Sequence, residues 1–141
     1  MAARSGSYPA VQEINGIPRS ALGVGAIYDG VLGLLFLVAY GPLLTILGVP
    51  LPENPIYLQL AAGLIAVMGL LQYFAWKNGA VHDETIMALV VFKALYVLLA
   101  IFSGIRGELP HPVFGVFAAI DLAFMAIFLG MLRTGGETRT R

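Results

Sequence analysis

Long apolar stretches alternate with short polar clusters along most of the chain. The clusters lie at about 50–55, 77–84 and 104–110, and they are rich in proline, glycine and charged residues. The apolar stretches cover about 21–40, 56–76, 85–103 and 113–132. Each has roughly 20 residues, so as an α-helix each would measure about 30 Å, which matches the hydrocarbon core of a bilayer. The pattern predicts four transmembrane helices.

Two other interpretations fit this pattern poorly. The strands of a membrane barrel need only about 10 residues and a strict alternation that these stretches lack. Helices of a soluble protein need a polar face for water, and none of the four stretches has one. We therefore predict an all-α protein, with an integral-membrane antiparallel four-helix bundle over residues 21–133 and polar segments at 1–20 and 134–141.

The first apolar stretch raises two questions of its own. It lacks the short basic start and the small-residue cleavage site of a signal peptide, so we expect it to be retained. Residues 41–49, which follow it, are apolar but begin with Gly41-Pro42, and proline ends or kinks a helix. Two alternatives stay open: a long, kinked first helix, or an interfacial or re-entrant turn over residues 43–47.

Composition limits the classes of function. Hydrophobic residues make up 59% of the chain and charged residues 11%, whereas a soluble domain carries about 25% charged residues. The formal net charge of +0 does not fit a nucleic-acid binder, which needs a basic surface. Cysteine is absent and histidine occurs twice, which excludes disulfides, thiolate ligands and histidine-rich metal sites. We expect no nucleic-acid partner and no metal.

Basic residues near the helix ends are distributed unevenly. With four spans, six of the eight fall on one side of the membrane: Arg4, Arg19, Lys77, Arg133, Arg139 and Arg141. The other side has Arg106, and Lys93 lies inside a span. Because cytoplasmic segments are enriched in Lys and Arg, we predict a multi-pass protein of the plasma (inner) membrane with both termini cytoplasmic.

Three ionisable residues lie inside the predicted spans. Counted from the predicted cytoplasmic ends, Asp29, Lys93 and Asp121 lie roughly 12, 12 and 16 Å deep, which is one layer near the bilayer centre. Each costs about 2.5–3.5 kcal/mol there on insertion scales, so we predict that they face inward as one buried cluster. Two acids and one base favour a shared-proton site with Lys93 as counter-ion. The alternative is a salt bridge that only locks helix register.

Helical spacing suggests neighbours for this cluster. Gly25 and Gly33 flank Asp29 at i−4 and i+4, so a partner helix can approach closely. Tyr96 follows Lys93 at i+3 and is predicted to cap the polar site with its hydroxyl. Gln72 is predicted to extend the cluster toward water. Tyr28 has a weaker claim because it points about 100° away from Asp29.

The polar clusters outside the spans favour structural roles. Asp83 and Glu84 open the third span, where acidic residues meet the positive end of the helix dipole. With His82 they do not suit a metal ion, because three consecutive residues cannot all face one ion from a helix. Arg106 and Glu108 flank a glycine and are expected to form a solvated turn, either paired or at the rim of an entrance.

The order of these features resembles a family. An Asp29-Gly30 pair in the first span and the proline-rich loop 48–55 are followed by Lys93 and then by Ile-Asp-Leu-Ala-Phe at 120–124. Over about residues 20–133 this resembles small bacterial four-span proteins grouped as DoxX-like. The resemblance implies a four-helix fold and, because the DoxX name is associated with a membrane subunit of a thiosulfate:quinone oxidoreductase, a quinone-facing accessory role.

Several functions fit these residues. The first, which we favour over an enzyme, is an accessory or binding subunit that holds a lipid, a quinone or a membrane partner beside Asp29, Lys93 and Asp121, or that forms a homo-oligomer. The second is transport of a proton or a small cation. The third is an intramembrane enzyme that uses a carboxyl as general acid on a lipid or isoprenoid. No cofactor is predicted unless a lipid or quinone is bound.

Overall fold

The computed structural model describes residues 11–137. Within that range the chain forms five helices and two short strands: β1 (Val11–Glu13), α1 (Gly16–Val38), α2 (Tyr40–Ile46), α3 (Ile56–Asn78), β2 (Ala80–His82), α4 (Asp83–Ile105) and α5 (Pro112–Glu137). The all-α class is confirmed, and the strands are an addition that the apolar pattern did not predict. The terminal segments predicted at 1–20 and 134–141 lie partly outside the described range, as do Arg4, Arg139 and Arg141.

Four of the helices in this range are long and apolar enough to cross a membrane. They are α1, α3, α4 and residues Pro112–Arg133 of α5, each with 22 or 23 residues. Their outer faces carry large apolar side chains such as Val38, Tyr57 and Ile105, which are 77–81% exposed. Surfaces of this kind suit acyl chains rather than water. The chain is therefore a multi-pass membrane protein.

The chain changes direction after α1. Ala39 leaves helical geometry (φ −120°, ψ 26°), and α2 starts at the next residue. Pro42 lies in the first turn of α2, where a backbone N–H has no acceptor within the helix and its absence does no harm. Leu44 is buried against Phe36 and Ala62. The segment after α1 is therefore a separate short helix, packed against the long ones, rather than the end of one continuous kinked helix.

The long helices pack in two antiparallel pairs, α1 with α3 and α4 with α5. In the first pair the backbones touch, because a Cβ on Gly33 would lie 2.5 Å from the Ala66 nitrogen and a Cβ on Gly69 would lie 2.5 Å from the Gly30 nitrogen. The close approach expected at Gly33 is thus confirmed. The second pair is in contact through larger side chains, such as Tyr96 against the start of α5.

The two pairs meet mainly along α1 and α5. In the described part of the chain, α3 and α4 are not among the closely packed helix pairs, although β2 links them. Around the bundle the order is therefore α3, α1, α5, α4. The side between α3 and α4 is its loosest.

A small β-ribbon closes one end of the bundle, which we name the ribbon end. Strand β1 pairs antiparallel with β2, with Val11 opposite His82 and Glu13 opposite Ala80. The left-handed glycine Gly79 (φ 65°) ends α3 and turns the chain into β2. Under the ribbon, Ile14 and Val81 are each only 3% exposed. The opposite end, which carries α2 and the segments 47–55 and 106–111, is named the loop end.

Apolar packing differs between the two halves of the bundle. In the half next to the ribbon, called the ribbon half, Leu22, Ile86, Leu89 and Phe128 are fully buried in one cluster. In the other half, called the loop half, the buried cluster is smaller and centres on Phe36, with residues of α2 and α3 beside it. The ribbon half therefore supplies most of the described hydrophobic core.

The residues at the helix ends take the structural roles expected of them. Asp83 and Glu84 both lie in the first turn of α4, where their negative charge is favourable beside the positive end of the helix dipole. Arg106 and Glu108 pair with each other at 2.8 Å, with more than half of each side chain exposed. These groups lie outside the buried cluster described next.

Candidate functional site

Asp29, Lys93 and Asp121 meet in the middle of the bundle, as predicted. The Lys93 Nζ lies 3.0 Å from both carboxylate oxygens of Asp29 and 2.7 Å from Oδ1 of Asp121. The three residues are 2%, 1% and 6% exposed, respectively. Asp29 belongs to α1, whereas Lys93 and Asp121 belong to α4 and α5. The cluster of these three residues therefore joins the α1–α3 pair to the α4–α5 pair.

Gln72 completes the cluster from α3. Its Nε2 donates a hydrogen bond to Asp29 Oδ2 and another to the Met68 carbonyl oxygen at 3.2 Å. The amide fits because residue 25 is glycine, where a Cβ would collide with the Gln72 side-chain oxygen. Gln72 is 0% exposed. It therefore orders Asp29 within the interior rather than extending the cluster toward water.

The Lys93 ammonium is fully enclosed. Its three N–H groups have three carboxylate oxygens within hydrogen-bond distance. The ring centroids of Tyr28 and Phe124 lie 5.4 and 5.3 Å from Nζ, and the two rings stack on each other. A cation near an aromatic face is attracted by the ring quadrupole. These contacts hold Lys93 as the central cation of the cluster.

The cluster carries an excess of acid. Two ionised carboxylates against one ammonium give a formal charge of −1 in an interior where uncompensated charge is costly. The two acids are not equivalent: Asp29 accepts hydrogen bonds at both oxygens, from Lys93 and Gln72, whereas the ion pair with Asp121 is made at one oxygen. Asp121 is therefore the less enclosed acid.

A cavity of about 320 Å³ opens directly beside the cluster. Tyr28, Asp29 and Asp121 form its inner end, which we call the floor, and Tyr96 lines the wall above them; little of their polar surface faces the cavity. Its walls are apolar and come from all four long helices: Leu32, Phe36, Leu58, Ala61, Ala62, Leu64, Ile65, Phe92, Leu95, Leu99, Phe114 and Phe117. Apolar walls above a floor that includes two carboxyl side chains suit an amphipathic molecule.

The cavity extends from the cluster into the loop half. From Asp29 to Phe36 it follows α1 over seven residues, a distance of roughly 10 Å. Three of its wall residues, Leu64 on α3 and Leu95 and Leu99 on α4, are 48–58% exposed on the outside of the bundle. The mouth of the cavity therefore lies between α3 and α4, on the side that faces the bilayer.

Below the cluster, the ribbon half has no comparable opening among the described pockets. Leu22, Ile86, Leu89 and Phe128 fill it and are each 0% exposed. A second groove, of about 740 Å³, lies on the outside of α1 and α3, from Ser20 to Leu34 and from Ala66 to Trp76. It is shallow and apolar and includes neither acid of the cluster.

Two tyrosines differ from their predicted places. Tyr96 lines the cavity, but its hydroxyl donates to the Phe114 carbonyl oxygen at 3.1 Å rather than to the charged cluster. Tyr28, given the weaker claim, lies closer to the charges: it stacks over Lys93, and its hydroxyl is buried with no hydrogen-bond partner in the described chain. The position of Tyr28 next to Asp29 could have indicated this place, because α1 packs against α3 on one side and against α5 on the other.

The chain was compared with known protein-family models, curated proteins and solved structures, and none of the three comparisons gave a match. The resemblance to the DoxX-like proteins is therefore without support from a family match, and the quinone-facing role that it implied has none either. The ion cluster and the cavity beside it are the features of the molecule that bear on its function.

Proposed function

We propose that this protein binds one amphipathic molecule of the bilayer, a lipid or a quinone, and acts as a binding or accessory subunit in the membrane. The ligand's polar head would lie against Asp29 and Asp121, and its tail would fill the apolar part of the cavity. The single observation that carries this proposal is the 320 Å³ cavity whose floor is the buried ion cluster.

The position of the mouth supports a ligand that comes from the bilayer. It lies between α3 and α4, where exposed leucines meet the acyl chains rather than an aqueous phase. An apolar tail can pass such a rim without leaving a hydrophobic environment. A water-soluble ligand would meet the same leucines as a barrier.

Transport of a proton or a small cation has less support. A carrier needs access to its site from both sides, and the tightly filled ribbon half separates the cluster from one end of the bundle. Catalysis on a lipid has less support as well, since both carboxyls that would act as general acid pair with the Lys93 ammonium, which favours their ionised form. A bound molecule needs only the cavity as it stands.

The same proposal includes an orientation. Arg19 and Lys77 lie at the ribbon end and Arg133 lies near the end of α5 on the same side, whereas Arg106 lies at the loop end. By the positive-inside rule the ribbon end faces the cytoplasm, and the cavity lies in the outer half of an inner membrane. Residue-specific labelling of single cysteines, introduced at the two ends of this cysteine-free chain, measures that orientation.

The test is to fill the cavity and measure what remains bound. Ala61 is exposed at the mouth, so Ala61→Trp adds bulk there without disturbing the buried core. Ala119 is also exposed but lies on α5 and does not line the cavity, so Ala119→Trp is the matched control. Proteins purified in mild detergent are extracted, and their lipids and quinones are quantified by mass spectrometry against protein.

We expect a defined amphipathic species at near-stoichiometric amounts in the wild type and in Ala119→Trp, and a strong loss in Ala61→Trp. Equal amounts of every lipid in all three proteins would show a nonspecific annulus and would contradict the proposal. A partner protein that co-purifies with all three would support the accessory role separately.

A further inference from the structure

The excess negative charge at the floor of the cavity has no balancing group among the described residues. Lys93 balances one of the two carboxylates, and the basic side chains Arg19, Lys77, Arg106 and Arg133 lie at the helix ends. In a low-dielectric interior a formal charge of −1 attracts a cation or a proton strongly. The cavity is the space from which a cation can approach.

Aromatic rings line that space on several sides. They belong to Tyr28, Phe92, Tyr96, Phe114 and Phe117. The Phe117 ring packs edge-on against Tyr28 at 6.4 Å and against Phe114 at 6.2 Å. Aromatic walls around an acid are a typical site for an organic ammonium group, which gains from the ring faces as well as from the carboxylate. The Lys93 ammonium already lies beside such rings, 5.4 Å from the centroid of Tyr28 and 5.3 Å from that of Phe124.

An unpartnered hydroxyl points in the same direction. The Tyr28 oxygen is buried and has no hydrogen-bond partner in the part of the chain that the structure describes. Such groups are rare, because leaving one unpaired costs about 1–3 kcal/mol. The Tyr28 ring lines the cavity next to both acids, and its enclosed oxygen would accept a hydrogen bond from an ammonium N–H only after a small shift of its neighbours.

From these observations we infer that the head group bound at this floor is a protonated amine on a single apolar tail. The inference rests on the proposed function and narrows its ligand class: the ammonium would lie against Asp121 among the aromatic rings of the cavity, with the tail directed to the loop end. Asp121 is the favoured partner because it is the more exposed acid and because its ion pair with Lys93 uses one oxygen.

Other head groups fit these residues less well. A carboxylate or phosphate would add negative charge beside two acids, which repel it. A quinone presents carbonyl oxygens, which could accept a hydrogen bond from the Tyr28 hydroxyl but not from an ionised carboxylate, and a quinone leaves the formal charge unbalanced. A neutral alcohol can pair with Asp121 but leaves the formal charge unbalanced. The amine meets the hydrogen-bonding and the charge requirements together.

Three probes of equal chain length test the head group: a primary amine, an alcohol and a carboxylate, each with a nitroxide on the chain to quench tryptophan. The protein is reconstituted in lipid nanodiscs with its single tryptophan removed by Trp76→Phe. Phe92→Trp then reports from the cavity wall. Leu98 is 58% exposed on the outside of the same helix, so Leu98→Trp reports on the probe dissolved in the bilayer.

The quenching at position 98 is subtracted as the contribution of probe dissolved in the bilayer. We then expect the amine to quench the tryptophan at position 92 at about tenfold lower concentration than the alcohol. The carboxylate should quench it least. Asp121→Asn, which brings the formal charge of the cluster to zero, should abolish the preference for the amine. Retained quenching by the alcohol in this variant shows that the cavity is intact.

The results separate the two proposals. If the alcohol or the carboxylate matches the amine, or if Asp121→Asn keeps the preference for the amine, the inference about the head group is wrong while amphiphile binding stands. If no probe quenches position 92 more than position 98, binding in this cavity is itself refuted, and the inference falls with it.

Discussion

The ribbon half and the loop half are built from the same four helices, yet their side chains fill the interior of the first and leave a cavity in the second. In the ribbon half, bulky side chains such as Leu22 and Phe128 are fully buried, and the β-ribbon closes the end. In the loop half, the helices surround a cavity with a gap between α3 and α4. The ion cluster lies where the two halves meet. One half therefore supplies most of the buried core, and the other surrounds open space.

The largest expected effect comes from the boundary between the halves. Lys93→Met leaves two carboxylates buried without their cation, and breaking a buried ion pair costs about 3–5 kcal/mol. We expect a large fall in thermal stability in detergent, or loss of folded protein. Changing Asp29 and Asp121 to Asn in the same chain removes the stranded charges and should recover most of the loss. A Lys93→Met protein as stable as the wild type would contradict the role of the cluster.

The next effect compares the two halves directly. Phe128→Ala empties a filled site in the ribbon half and should destabilise by about 3–5 kcal/mol. Phe114→Ala, its counterpart in the loop half, removes a ring that already borders the cavity and should cost clearly less. Denaturant titration in mixed micelles measures both. Equal losses would mean that the loop half is as tightly packed as the ribbon half.

A smaller effect is expected where α1 packs closely against α3. Gly33→Ala places a Cβ 2.5 Å from a backbone nitrogen of α3, and such overpacking costs about 1–3 kcal/mol. Gly63→Ala on α3 is the matched control, since its Cβ would meet nothing within 4 Å. The control should leave stability unchanged or raise it by up to about 1 kcal/mol. If both variants behave alike, the close contact of the helices is not a constraint.

The smallest effect lies at the loop end. Arg106→Gln breaks an exposed ion pair with Glu108, and exposed pairs contribute little in water. We expect a change in stability within about 0.5 kcal/mol, measured by the same denaturant titration. A loss comparable with that of Lys93→Met would show that the loop end carries stability that its packing does not suggest.

Several of these features follow from the sequence alone, for a physical reason. Runs of about 20 apolar residues fix where helices can cross a bilayer, and the cost of burying charge requires Asp29, Lys93 and Asp121 to meet. Helix bounds followed the apolar runs closely, except that α1 begins at Gly16 and α5 continues to Glu137. At these two helix ends the residues are polar, so hydropathy does not show where the helix begins or ends.

Other features depend on packing that a single sequence does not reveal. The β-ribbon joins two three-residue strands, and segments this short have no period of their own to detect. The cavity arises from the combined side-chain volumes of four helices. Tyr28 was undervalued because one inward face was assumed for α1, whereas that helix packs against α3 on one side and α5 on the other.

The arrangement in pairs has a consequence for biogenesis. Helices α1 and α3 can enter the bilayer as one hairpin, with Asp29 already bonded to Gln72 but still lacking its cation. That cation arrives only when α4 and α5 follow with Lys93. We therefore expect a nascent chain that is halted before α4 to be recognised by membrane quality control. Insertion of the second hairpin, α4 and α5, would then be the step that stabilises the protein.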